Sequence, residues 1–275
     1  MTKRNDKAKN KVVKTKLSNK KPKQSKKIAD QYDNDNYNYL KYWDGRDYEH
    51  ASEEIAIKHL LGDKHFKNVA DIGGGYGRLC ILLLQYAEKV TLAEPSQQQL
   101  NTAKEFLKDY PEIEMLKTQA DDLKIKTGSL DLVTMIRVMH HLPDPSAEFA
   151  EIARVLSDNG ILILEMANYA HGRNRLKHAF KLKKLPVEPV DIRSLKNRRD
   201  EEVAFVNHNP KTVIKQLAHA GLKVEKVLSV SNLRSRTLKK YVPQSVMLSL
   251  ETFLQSALAK TYFGPSVFFL VKKAT

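Results

Sequence analysis

Val69-Ala70-Asp71-Ile72-Gly73-Gly74-Gly75-Tyr76-Gly77-Arg78 is the most informative stretch of this chain. A short apolar run enters a cluster of glycines and leaves as a second apolar run, Leu79 to Ala87, whose pattern predicts a helix. Strand, glycine turn and helix bring bare backbone close to a ligand, because glycine makes the tight turn with no side chain in the way. Spacing narrows the ligand. A dinucleotide loop needs G-x-G-x-x-G, which from Gly73 would put glycine at position 78, and that residue is Arg78. The chain has D-x-G-x-G-x-G instead, from Asp71, Gly73, Gly75 and Gly77, with an acid at its entrance and no need to cradle a diphosphate.

Downstream elements follow in order. Lys89 to Glu94 reads as a second strand ending on an acid, and Ser96-x-x-Gln99 opens a helix as a capping box with Leu100, Ala103 and Leu107 as its apolar stripe. An acid at the end of the strand after a nucleotide loop suits a ribose diol, because a carboxylate accepts from both hydroxyls. Glu94 lies seventeen residues past Gly77, close to the ~20 expected. Ile113 to Thr118 is a third strand, followed by Gln119-Ala120-Asp121-Asp122-Leu123. Leu130 to Ile136 is a fourth, followed by Val138-Met139-His140-His141-Leu142. Asp144-Pro145 predicts a helix start in the N-cap, N1 pattern, with Phe149, Ile152, Ala153 and Leu156 on one face. That helix is expected to stop at Asn159-Gly160, before a fifth strand from Ile161 to Met166.

The D-x-G-x-G-x-G loop from Asp71 to Gly77, the acidic end of the second strand and the later segments together resemble the class I S-adenosylmethionine-dependent methyltransferases, whose motif I has that spacing. The run from Asp131 to Asn168 is similar to the type 11 members, which include ubiquinone and menaquinone C-methyltransferases; the resemblance covers about residues 65 to 170. It implies a Rossmann-like α/β fold: a seven-stranded, mostly parallel sheet with helices on both faces and a last strand inserted antiparallel between the fifth and sixth. S-adenosylmethionine is the implied cofactor, with contacts from Asp71, Gly73, Gly75, Gly77, Glu94, Gln119, Ala120, Asp121, Arg137 and Arg46. Glu94 would hold the adenosyl ribose. Residues 119–123 stand where the family has G-D-A-x-x-L along the adenine, with Gln119 replacing the usual aspartate and Asp121 as the alternative contact. Arg46 would pair with the carboxylate of the methionine moiety, a task suited to a bidentate fork, or else pack beside the neighbouring tyrosines.

A general base is needed only if the methyl acceptor is an un-ionised hydroxyl or a carbon acid. His140 and His141 are the candidates, since they follow the fourth strand where the crevice of an open α/β sheet lies. A packed, hydrogen-bonded histidine is the competing reading, and His171 and His208 are weaker candidates. His140, His141 and Asp144 match no metal-site spacing, so no metal is expected. The loop after the fourth strand lacks the Asn/Asp-Pro-Pro-aromatic sequence of enzymes that methylate exocyclic base amines. Cys80 is the single cysteine, so a second thiol for attack on a pyrimidine ring is absent.

The flanks differ from this core. Residues 1–27 contain twelve Lys or Arg against one acid, Asp6, so +11 of the net +15 lies there and only +4 remains for the rest. This segment is expected to be a disordered basic tail, either a solubilising extension or an arm making nonspecific contact with nucleic acid or anionic membrane. Residues 28–275 are expected to form the methyltransferase domain, with 28–62 as an aromatic and helical cover, 63–170 as the cofactor core, and 171–275 as substrate-side insertions plus the last two strands. Tyr32, Tyr37, Tyr39, Tyr42, Trp43 and Tyr48 crowd the cover, which leads into a helix from Glu49 to Leu61. Arg173 to Leu185 reads as a basic helix, Lys196 to Glu202 as an irregular connection, Asn209-Pro210 as a helix cap, and Leu222 to Val230 as a strand. Pro243 to about Lys260 predicts a helix whose stripe of Val246, Met247, Leu250, Phe253, Leu254 and Leu258 packs on the sheet, with a lid or a membrane-facing surface as the alternative. Phe268 to Val271 is the last strand.

Hydrophobic content of 41% is enough for a core, and the longest apolar runs are too short to span a bilayer. With one cysteine and no apolar leader, a cytoplasmic setting is expected. The favoured reading is a methyltransferase for a small-molecule acceptor, hydrophobic or quinone-like. An RNA methyltransferase guided by the basic tail, and an adaptor that binds the cofactor without catalysis, are the alternatives.

Overall fold

The structure is a computed structural model that describes residues 42–194, 198 and 204–274. The basic tail, Tyr32, Tyr37, Tyr39 and most of the 196–202 run lie outside the described residues. Seven strands share one sheet: β1 (Phe66–Ile72), β2 (Ala87–Glu94), β3 (Ile113–Lys117), β4 (Leu130–Met135), β5 (Leu156–Ala167), β8 (Leu222–Val230) and β9 (Ser266–Lys273). Their order is β3-β2-β1-β4-β5-β9-β8. The first five run parallel, and β9 lies antiparallel to both β5 and β8. This is the sheet that the resemblance implies, with the last strand between the fifth and the sixth.

Parallel strands are covered on both faces, which is why β4 and β5 read as near-continuous apolar runs. One face packs Ile57, Leu60 and Leu61 of α1 (Asp47–Leu61), Leu83 of α2 (Cys80–Leu83), and Leu100 and Ala103 of α3 (Gln97–Phe106). The other packs Phe149 and Ile152 of α4 (Ser146–Val155). Later elements are α5 (Gly172–Phe180), a short hairpin of β6 (Val190–Asp191) and β7 (Val206–Asn207), α6 (Pro210–His219), α7 (Arg236–Tyr241) and α8 (Gln244–Ala257). Val213 and Leu217 of α6 join the second face. Neighbours Phe268 and Phe269 of β9 enter opposite cores, as the two-residue period of a strand requires. Among the described residues, no helix is long and apolar enough to cross a membrane.

Several sequence expectations are corrected. The run from Leu79 to Ala87 is not one helix: α2 covers four residues, a 3-10 turn follows at Leu84–Tyr86, and Ala87 turns extended to pair with Phe66. Helix α4 begins at Ser146 with Pro145 as its N-cap, one residue later than expected, and Asp144 Oδ1 accepts from the Ser146 amide at 3.2 Å. That helix also ends early, because Leu156 already pairs with Leu130, ahead of a register shift in β4. Helix α7 and the β6–β7 hairpin were not expected from sequence.

The largest correction concerns α8. Its buried positions are Met247, Glu251 and Gln255, while Val246, Leu250 and Phe253 are exposed. Polar partners explain the inversion. Glu251 Oε2 accepts from the Tyr48 hydroxyl at 2.7 Å and from the Asn232 amide at 3.0 Å, and its Oε1 accepts from Asn232 Nδ2 at 3.1 Å. Gln255 Nε2 donates to the Ser52 carbonyl at 2.9 Å. The face that docks α8 on α1 is therefore a hydrogen-bonded knot. Burial pushes the Glu251 carboxyl up, and the Tyr48 hydroxyl pulls it back down. Tyr48→Phe would leave this carboxylate one donor short and the Leu233 amide without its acceptor. The expected loss is about 2 kcal/mol of stability, in the range for a hydrogen bond to a charged group. Urea unfolding checks it, and an unchanged midpoint would show the knot to be energetically idle.

Candidate functional site

The order of the sheet reverses between β1 and β4, so the chain leaves these two strands in opposite directions and opens a crevice at their C-terminal ends. A cleft of about 250 Å³ lies there. Its wall brings together Gly73, Gly75, Glu94, Gln119, Ala120, Asp121, Arg137 and His141, with Pro95, Val138 and Leu142 as apolar surface. Asp71, Gly77, His140 and Arg46 are not part of that wall. Gln99 and Glu148, from the first turns of α3 and α4, are part of it and were not expected from sequence.

Glu94 fixes the glycine loop. Its Oε2 accepts from the Gly75 amide and its Oε1 from the Ser96 amide, both at 2.9 Å. The Gly73 amide donates to the Ala93 carbonyl at 2.7 Å, and Gly73 takes a φ of +66°. A Cβ on Gly73 would meet Val138 Cγ2 at 2.5 Å, so a side chain here would press on the cleft wall. Gly77 serves packing instead, since a Cβ there would come within 2.6 Å of Leu107. Asp71 lies beneath the loop, where Thr134 Oγ1 donates to its Oδ1 at 2.6 Å. Burial pushes the Asp71 carboxyl up to about 6, against the pull of that hydrogen bond. Cys80 is buried, and its burial together with the nearby Asp71 raises the thiol well above its usual range, which suits a core residue and not a nucleophile.

The two arginines expected in the site are placed differently. Arg137 has a φ of +60°, its amide donates to Glu165 Oε2 at 3.0 Å, and its Nε donates to Glu53 Oε1 at 2.6 Å. The other oxygen of Glu53 pairs with Arg78 at 2.7 Å. Burial raises the Glu53 carboxyl, but the two guanidiniums outweigh it and hold it below the ordinary range. Trp43 stacks on both cations, 3.8 Å from Arg78 and 4.9 Å from Arg137. Arg46 lies 4.0 Å over the Tyr42 ring and faces a second hollow with Trp43, Asp47 and His50. Packing beside the tyrosines is the alternative that the geometry favours for it.

The histidines also divide. His141 is in the cleft wall, and its Nδ1–H donates to the Ala204 carbonyl at 3.0 Å. A neutral imidazole that donates from Nδ1 carries its lone pair on Nε2, the tautomer a base requires. His140 packs against both His141 and Phe205, its ring tilted to each, with ring centroids 4.0 and 4.5 Å away. Burial, His141 and Arg137 hold it well below the usual imidazole range, so it is a neutral packing residue. His208 is buried, and its Nε2–H donates to the Met139 carbonyl at 2.9 Å. Burial lowers His171 as well.

Two acceptors in the wall, Gln99 Oε1 and Glu148 Oε2, are buried and make no hydrogen bond among the described residues. Such atoms call for a ligand that brings donors. A nucleoside does so with its exocyclic amine and its ribose hydroxyls. A family model described as a methyltransferase domain matches residues 70–164. These residues form a class I methyltransferase domain of type 11. The methyltransferase domain thus holds the whole cleft wall, with its loops after β1, β2, β3 and β4. Among curated relatives, a Dictyostelium discoideum protein provisionally designated a methyltransferase is 33% identical over 94 residues, 34% of this chain and 34% of that protein. The ubiquinone biosynthesis O-methyltransferase of Saccharophagus degradans is 29% identical over 104 residues, 37% of this chain and 44% of that enzyme. The chain thus spans less than half the length of these relatives. Among solved structures, an S-adenosylmethionine-dependent methyltransferase from Mesorhizobium loti superposes with a TM-score of 0.56 at 15% identity, covering 81% of this chain and 98% of that one. S-adenosylmethionine is the cofactor of such a domain, and the two orphaned acceptors fit its adenosine.

Asp71 gives the domain a pH signature. Its carboxyl rises from 3.8 to about 6 on folding, so between these values the unfolded group is ionised while the folded one keeps its proton. Its contribution to stability is full below the unfolded value and is lost as pH rises through about 6, a change of ~3 kcal/mol. Asp71→Asn removes that titration. The variant should gain stability relative to the parent as pH goes from acid to neutral, by up to ~3 kcal/mol in urea unfolding curves. A difference that stays constant with pH would show that the buried Asp71 carboxyl is not raised.

Proposed function

We propose that the chain is an S-adenosylmethionine-dependent methyltransferase whose acceptor is a small, largely apolar molecule, quinone-like in class. The observation that carries the reading is Glu94, which ties the glycine loop by two amide bonds while its carboxylate stands in the cleft wall. A carboxylate has about four acceptor sites, so it can hold both amides and still take the hydroxyls of a ribose. The cofactor, when bound, supplies a methyl group on a sulfonium, and the reactivity resides there. The protein positions the partners, which is a large share of catalysis for a displacement in line.

Gln99 and Glu148 accept from adenosine donors, and Gln119, Ala120 and Asp121 border the same pocket. Gly73 leaves room beside Val138. Arg137 replaces Arg46 as the cation next to the cofactor, its charge shared with Glu53. Asp71 and Gly77 act from below, through the shape of the loop. His141 is the base for a hydroxyl or carbon-acid acceptor, because its Nδ1–H is spent on the Ala204 carbonyl. Val138 and Leu142 offer the acceptor an apolar wall, and the relative from Saccharophagus degradans, by its name, acts in ubiquinone biosynthesis. Residues 1–27 add a nonspecific attraction to polyanions that salt weakens.

Incubation of the purified chain with methyl-labelled cofactor and a cell extract tests the reading. Label is expected in the apolar small-molecule fraction; label confined to RNA or protein, or no transfer at all, overturns it. Glu94→Ala should weaken cofactor binding by about 1.5–3 kcal/mol in calorimetry with the fold intact. His141→Ala should keep cofactor affinity and slow turnover by about a hundredfold or more. Unchanged turnover in that variant would remove the base and point to an acceptor that is already ionised.

A further inference from the structure

Helix α5 is turned inside out relative to an ordinary surface helix. The side towards the body is polar: Asn174 Nδ2 donates to the Tyr169 carbonyl at 2.8 Å, Arg175 Nε donates to the Ala170 carbonyl, and the Tyr169 hydroxyl donates to His178 Nε2 at 3.4 Å. The side towards solvent carries Leu176 and Phe180, one turn apart and 59% and 81% exposed. None of its residues is buried. An amphipathic helix places its apolar stripe on the core, and this one does the reverse.

The turn after the helix extends the surface. Leu182 is 97% exposed at a φ of +50°, a left-handed position that a branched residue takes at a cost. The turn is nevertheless well bonded. The Leu182 amide donates to the Ala179 carbonyl, the Lys183 amide to the His178 carbonyl, and His178 Nδ1–H to the Lys184 carbonyl, each at 3.0 Å. An ordered turn thus presents a bare leucine, with the exposed Val187 beyond it.

Charge identifies the partner. Arg173, Lys177, Lys181, Lys183 and Lys184, all exposed, surround these apolar residues, and no acid occurs between Glu165 and Glu188. Among the described residues, none of the five is in an ion pair with an acid. A second copy of the chain meeting this face symmetrically would set five cations against five. Nucleic acid would satisfy the charges and leave Leu176, Leu182 and Val187 with nothing apolar to enter. A bilayer with anionic headgroups satisfies both, since its surface attracts Lys and Arg while apolar side chains sink to the acyl boundary.

We propose that the outer face of α5 and the turn through Leu182 dock the protein on an anionic lipid surface. The docking face is joined to the cleft wall through a short path: the Tyr169 amide donates to the His208 carbonyl, and His208 bonds to the Met139 carbonyl, two residues from His141. A lipid-dissolved acceptor would then be delivered beside the cleft. That last link rests on the proposed methyl transfer, whereas docking itself does not.

Co-sedimentation of the full chain with phosphatidylcholine vesicles, alone and with about one-third phosphatidylglycerol, tests docking without reference to activity. Binding is expected to the anionic vesicles, with little to the neutral ones. Leu176→Ser, Phe180→Ser and Leu182→Ser combined should lower the partition by about tenfold at physiological salt, with thermal unfolding unchanged because all three are exposed. Since residues 1–27 also attract anionic lipid, Leu182→Trp supplies a local readout. Its emission, after subtraction of the parent's single Trp43, should shift to the blue on anionic vesicles. An unshifted signal from the introduced indole, or a triple variant that binds as the parent does, would show that the tail alone makes the contact and would overturn the proposal. It would equally fall if the triple variant lost affinity for a short RNA and kept its affinity for vesicles. Methyl transfer without vesicle binding would sink docking and leave the enzyme reading standing; vesicle binding without methyl transfer would do the opposite.

Discussion

The carboxylate of Glu53, on α1, ties that helix to the segments that follow β1 and β4. It is 1% exposed and shared between Arg78, at the end of the glycine loop, and Arg137, at the end of β4. Taking a carboxylate out of water costs several kcal/mol, so one arginine would barely compensate it, and two in contact with different oxygens do. The arrangement does more for geometry than for stability. It fixes Arg137 in a left-handed backbone conformation, gives the Trp43 ring two cations to lie against, and makes α1 part of the wall behind the cleft. Removal of either arginine would leave a buried charge half paired, and the loop, the strand end and α1 would relax together.

The charges facing the cleft follow from this. The Arg137 guanidinium is bound to Glu53, so the wall is dominated by acceptors: the carboxylates of Glu94, Asp121 and Glu148, and the amide oxygen of Gln99. Burial raises the Glu148 carboxyl, and the nearby Asp121 and Asp144 raise it further. Such a wall disfavours a diphosphate and favours a ligand rich in donors or carrying positive charge. The absence of a glycine at position 78 and the presence of acids at the strand ends are therefore two expressions of one selectivity.

Parts of this were legible in the sequence because they rest on local rules. Glu94, Gly73 and Gly75 are placed by spacing along adjacent segments, and β8 has the bounds that its alternation predicts, because one strand carries its own pattern. The Asn209 cap of α6 is local too, its side chain accepting from the Lys211 amide. What sequence could not show depends on distant partners. Glu53 looks like one more helix acid until Arg78 and Arg137 are folded onto it. Glu251 and Gln255 look like the wet side of α8, and are buried only because Tyr48, Ser52 and Asn232 arrive from elsewhere. Glu148 sits in the first turn of α4, where an acid is ordinary, and only the cleft makes it a wall residue. Arg46 had the right chemistry and the right neighbourhood, and its Tyr42 stacking carries it to the adjacent hollow.

The position of β9 bears on how the chain becomes this structure. Residues 266–273 occupy the slot between β5 and β8, so the β5 edge has no partner on that side until they have been synthesised. For about a hundred residues of elongation the nascent chain therefore carries an open strand edge, apolar from Ile161 to Ala167 except for Glu165, the kind of surface that recruits other chains. β8 likewise has nothing to pair with until β9 arrives to bridge it to the sheet. Closure of so long a loop is slow, because the entropy is lost before the pairing rewards it. Aggregation of incomplete chains, and a need for chaperones during synthesis, are then properties of the topology and would persist whatever the acceptor molecule is.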